Sequence, residues 1–70
     1  MAEQRRKMAM ERMRAHLARA DGELEATLRF LDPKSDDEDE IALVRATAKA
    51  RTAVGDALET IRARFGEPMR

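Results

Sequence analysis

Residues 10–31, MERMRAHLARADGELEATLRFL, decide the fold. Within them Met10, Met13, Leu17, Ala20, Leu24, Thr27 and Leu31 recur at alternating spacings of three and four. That spacing keeps one stripe on one face of an α-helix and is the pattern of a coiled-coil seam. Leu28 borders the stripe and joins its core. Arg6 falls on the same face, so the apolar seam is expected to begin near Ala9.

The rest of the chain reads as a response to this stripe. Residues 2–31 form one expected helix, rich in Ala, Arg, Glu, Leu and Met, all good helix formers. Glu3 with Lys7 and Glu25 with Arg29 are favourable i,i+4 pairs. Gly22 is the soft spot and points away from the stripe. Residues 32–35 form the turn, where Pro33 biases Asp32 out of helical backbone. Ser35 and Glu38 match the capping box S-x-x-E; Asp32 as N-cap with Pro33 first in the helix is the alternative start.

Residues 36–65 form the second expected helix, and 66–70 a short tail. Leu43, Val54, Leu58, Ile61 and Phe65 fall on one face, with Thr47 among them and a strip of Ala46, Ala50, Ala53 and Ala57 beside. Gly66 suits the position after a helix end, and Pro68 follows as a stop. A short turn between such helices makes an antiparallel hairpin. Its register sets Met10 opposite Ile61, Leu17 opposite Val54, Ala20 opposite Ala50, and Thr27 opposite Leu43. Large meets large and small meets small, with a narrow waist at the two alanines.

Seventy residues make one small domain without cysteine, so disulfides and thiolate metal sites are excluded. A core of this size rarely supplies more than roughly 3–5 kcal/mol unaided. Self-association is therefore expected: an all-α antiparallel two-helix hairpin, dimerising into a four-helix bundle. The expected oligomer core is Met10, Met13, Leu17, Ala20, Leu24, Leu28, Leu31, Leu43, Ala50, Val54, Leu58, Ile61 and Phe65. Met8, Phe30, Ile41 and Val44 lie off the stripe and are candidates for a second interface, or, for Phe30 and Ile41, for covering the turn.

Formal net charge is zero but unevenly spread. Residues 1–20 carry a net of +4, residues 21–45 a net of −6, and residues 46–70 a net of +2. The hairpin thus has a basic pole, with Arg5, Arg6, Lys7, Arg12, Arg62 and Arg64 as candidate partner or phosphate contacts, and an acidic pole at residues 36–40. Arg14, Arg19 and Arg70 add to the basic end. The acidic run lacks the glycine and closing glutamate of a calcium-binding loop and reads as a helix start arranged for its dipole. His16 is the only histidine and reads as packing at the stripe's border. No nucleophile–base set, phosphate loop or convergent carboxylate pair is present.

No catalytic residues, cofactor or metal are therefore expected, and no membrane span or secretory leader. A cytoplasmic, non-enzymatic interaction or regulatory module is expected, binding itself and another protein. The alternative is a nucleic-acid-binding regulator acting through the basic pole.

Overall fold

A computed structural model describes residues 2–66, and these form two helices, α1 (Ala2–Leu28) and α2 (Glu38–Phe65), packed against each other as an antiparallel hairpin. The expectations placed on Pro68 and Arg70 lie outside the described residues. The molecule is a rod of 53 × 18 × 17 Å. Its radius of gyration is 15.6 Å, against roughly 11 Å for a compact domain of this length.

α1 stops three residues before Leu31, the expected end. The amides of Arg29, Phe30 and Leu31 bond three residues back, to the carbonyls of Ala26, Thr27 and Leu28. The last turn is thereby tightened ahead of Pro33, which bars α-helical backbone at Asp32. The turn is held by short polar bonds. The Lys34 amide donates to Asp32 Oδ1 (2.9 Å), the Ser35 amide to the Asp32 carbonyl (3.1 Å), and the Asp37 amide to Ser35 Oγ (3.1 Å).

The start of α2 differs from both sequence readings. Asp37 is the N-cap, and its Oδ1 accepts the Asp39 amide at 2.9 Å. Ser35 is used up in the turn, so its hydroxyl is not available three residues on. Asp37 and Glu40 replace Ser35 and Glu38 as the spaced pair. Glu40, however, reaches back past its own cap to accept the Asp32 amide at 2.7 Å. That bond ties the start of α2 to the end of α1's final turn. Asp37→Ala should lower hairpin stability by about 1 kcal/mol and Ser35→Ala by less, read from thermal melts followed by circular dichroism. The reverse order would restore the Ser35 reading.

α2 ends at Gly66, whose amide bonds to the Arg62 carbonyl (2.8 Å) with φ at +85°. Gly22 and Gly55 lie inside α1 and α2 without breaking them, and a methyl group at either would meet no atom within 4 Å. Replacing both by alanine should stabilise the hairpin by roughly 0.5–1 kcal/mol per site, read as a higher melting temperature. An unchanged or lower midpoint would show that one of these glycines relieves a contact between helices.

The interface between the helices is thin. Among the described residues the only buried one is Thr47, whose hydroxyl donates to the Leu43 carbonyl at 2.7 Å. Most of the half-buried positions trace the seam with an unbroken three-four spacing on both helices, with Ala20, Ala50 and Ala57 beside it and Ser35 in the turn. On α1 and its extension they are Met10, Arg14, Leu17, Asp21, Leu24, Leu28 and Leu31. On α2 they are Glu40, Val44, Thr47, Arg51, Val54, Leu58 and Ile61, with Thr47 fully buried.

Candidate functional site: a two-sided hairpin

The seam has two rows with different chemistry. One row runs through Met10, Leu17, Leu24 and Leu31 against Glu40, Thr47, Val54 and Ile61, and is apolar apart from Glu40 at the turn and Thr47. The other runs through Arg14, Asp21 and Leu28 against Val44, Arg51 and Leu58, and is interrupted by charge.

The charged row carries the side-chain bonds that join the two helices at mid-length and at the tail. Arg51 Nε donates to Asp21 Oδ1 at 3.2 Å across the waist. Arg14 Nη2 donates to the Gly66 carbonyl at 2.7 Å near the chain ends. A shallow groove on this side is lined by Asp21, Leu28, Ala48, Arg51 and Thr52. One edge of the hairpin is therefore laced by polar bonds.

The opposite edge is flanked by two heptad-spaced triplets, Met13, Ala20, Thr27 on α1 and Leu43, Ala50, Ala57 on α2. In an antiparallel pair these triplets border the same side of the seam. Met13 is 51 % exposed and Leu43 55 %. Ala20, Ala50 and Ala57 are half-buried, and Thr27 is exposed.

The expected stripe is thus split. Met10, Leu17, Leu24 and Leu31 enter the hairpin seam, while Met13 and Thr27 remain on its flank. Arg14, Asp21 and Leu28 take the places of Met13, Ala20 and Thr27 in the second row. Within the single hairpin Leu43 is open, as is Phe65 at 51 % exposure. Val44, read from the sequence as lying off the face, sits in the seam. Ile41 lines a depression beside the turn with Asp32, Pro33, Lys34 and Ser35 and stays 37 % exposed. Phe30 does not cover the turn: it is 89 % exposed. Met8 and His16 are exposed.

The pair the sequence reading missed is Asp21 with Arg51. Its signal was present: opposite charges, each one residue beyond the alanines that the register already set face to face.

Charge is distributed with near symmetry about this waist. Residues 21–50 carry nine acidic and four basic side chains, a net of −5. The other described residues, 2–20 and 51–66, carry nine basic and four acidic, a net of +5. The turn half is the acidic pole and the tail half the basic pole. Arg5, Arg6, Lys7, Arg12, Arg62 and Arg64 are all exposed at the basic pole. Arg62 is ion-paired with Glu59 one turn earlier, and that hydrogen bond holds the Glu59 carboxyl below its ordinary value. A lowered carboxylate adds stability above its unfolded pKa and loses it as pH falls through the folded value. The pair is exposed, so its effect on folding is small.

Among the described residues no group of three His, Asp or Glu side chains converges to hold a metal ion, residues 36–40 included. No helix among them is long and apolar enough to cross a membrane. No family model, no curated protein sequence and no solved structure matches this chain.

Proposed function

We propose that this protein is a small non-enzymatic interaction module that works as a homodimer, an antiparallel four-helix bundle, and docks a second protein on the surfaces the bundle leaves exposed. The observation that carries the reading is surface area. The chain exposes 6163 Å², where a compact monomer of its mass exposes roughly 4400 Å². The excess, roughly 1700 Å² per chain, is in the range that two subunits of a stable homodimer each remove from water. No apolar side chain is buried among the described residues, so a lone hairpin has little to hold it together. Doubling the hairpin supplies the missing core.

Sedimentation equilibrium at micromolar concentration tests this directly. A dimer whose helix content falls on dilution is expected; a stably folded monomer sinks the reading. The adaptor role is tested by affinity purification from the native host with and without nuclease. A protein partner retained after nuclease supports it, and repeated absence of any protein counts against it.

A second reading, nucleic-acid binding at the basic pole, has one observation in its favour. Arg5, Arg6, Lys7, Arg12 and Arg64 stand exposed with no acidic side chain in ion-pair reach among the described residues. A phosphate-driven binder loses roughly 10³-fold or more in affinity between 50 and 200 mM salt for six or more contacts. Binding that survives that change, or survives Arg5, Arg6 and Lys7 all changed to Ala, excludes it.

A further inference from the structure

We infer that the side of the hairpin bearing Met13, Ala20, Thr27, Leu43, Ala50 and Ala57 receives a second copy of the chain, with the turns of the two copies at opposite ends. The inference rests on the homodimer reading and adds the face and the orientation.

The face follows from the asymmetry of the seam. The other side is spanned by Arg51 to Asp21 and by Arg14 to the Gly66 carbonyl. A helix laid there would have to strip water from those charges, which costs more than the pairs return. Among the described residues the chosen side has no side-chain bond between the helices along its length, its one polar tie being Glu40 to the Asp32 amide at the turn. Its apolar row of Met10, Leu17, Leu24 and Leu31 is continuous with the flanking triplets, so a second layer finishes burying side chains that the hairpin buries halfway. One side of a 53 × 18 × 17 Å rod is large enough for a standard interface of about 800 Å² per partner.

The fit follows from heptad spacing. Met13 and Thr27 stand seven residues either side of Ala20, and Leu43 and Ala57 seven either side of Ala50. A two-fold axis through the waist, across the rod, lays each helix antiparallel on its own copy. Met13 then faces Thr27 of the second copy, and Leu43 faces Ala57 of the second copy. Ala20 and Ala50 each meet themselves on the axis. Every larger side chain meets a smaller one, and the helices approach closely where the alanines lie.

A two-fold axis along the rod would also match sizes, pairing Ala20 with Ala50 of the second copy. Charge decides between the two. Turns at the same end would stack −5 on −5 and +5 on +5 over the length of the bundle. Turns at opposite ends set each −5 half against a +5 half. Arg64, two heptads beyond Ala50, comes level with the acidic turn of the other copy at Asp36.

The chain has no cysteine, so single cysteines report the geometry cleanly. Under mild oxidation, Ala20→Cys and Ala50→Cys should each give about half or more of the chain as a disulfide-linked dimer, because each Cβ lies beside its own copy on the axis. Ala18→Cys and Ala48→Cys, on the laced side, should give little. Raising salt from about 0.05 to 0.5 M should weaken the unlinked dimer several-fold, since screening removes attraction between opposite poles. Two results overturn the inference while leaving the homodimer standing. One is cross-linking confined to mixtures of the Ala20 and Ala50 variants, with a dimer strengthened by salt. The other is preferential cross-linking at Ala18 and Ala48. A folded monomer in the absence of oxidant overturns both the inference and the homodimer reading.

Discussion

Leu24→Ala should lower the melting temperature of the protein by about 10 °C at fixed chain concentration. Leu24 is half-buried in the apolar row, one turn from the Asp21–Arg51 bond and level with Thr47, the one buried residue among those described. Truncating a fully buried leucine costs roughly 2–5 kcal/mol. Half burial in the hairpin sets the value near the lower end, about 2 kcal/mol, and for a chain of this size each kcal/mol moves the midpoint by roughly 4–8 °C. The effect is large because the total is small: a core of this kind supplies roughly 3–5 kcal/mol. Met8→Ala is the matched control. Met8 is apolar but 49 % exposed and outside both rows of the seam. Its change should stay within about 0.5 kcal/mol. Equal losses at the two positions would mean that the seam does not run where the half-buried residues place it.

The same residues show what could be read from the sequence and what could not. The two helices, the turn at Pro33 and the glycine end at Gly66 are local features, and local chemistry announced them. The seam was half legible. Met10, Leu17, Leu24 and Leu31 are common to two three-four stripes, one continuing through Met13, Ala20 and Thr27, the other through Arg14, Asp21 and Leu28. Hydrophobicity alone favours the first. The hairpin closes on a face centred nearer the second, with Asp21 and Arg51 meeting across the waist, and a pair contact between distant residues is invisible to a periodicity count. The same limit applied at α2's start. Ser35, Asp37 and Asp32 are each able to cap, and the choice depended on which turn amides had already been taken. The apolar stripe read from the sequence is not thereby wasted. It describes a face lying between the hairpin's own seam and its open flank, the pattern that the proposed dimer, with neighbours on two sides of α1, calls for.

The double variant Asp21→Leu with Arg51→Leu should be more stable than the natural chain and less well defined as an assembly. The ion pair is 3.2 Å long, but both side chains keep more than a third of their surface in water (38 % and 36 %). Pairs of that exposure contribute roughly 0.2–1 kcal/mol. Two leucines at the same seam positions, each about half-buried, would contribute roughly 1 kcal/mol apiece. The melting midpoint should therefore rise by about 5–10 °C. The cost falls on specificity. A polar group at one seam position commonly fixes register and partner number at the expense of stability. In the proposed dimer it also marks which side of the hairpin stays wet. With both charges gone, the laced side is apolar across the waist and keeps only Arg14 near the chain ends to mark it, so a second hairpin discriminates poorly between the two faces. Sedimentation should then show species larger than a dimer in place of one closed assembly. Asp21→Leu alone should show a weaker version, because Arg51 can still turn its guanidinium to solvent and keep that side polar. A double variant that gains stability and remains a single dimer would show that the Asp21–Arg51 pair stabilises without selecting the face, and that the charge halves alone direct assembly.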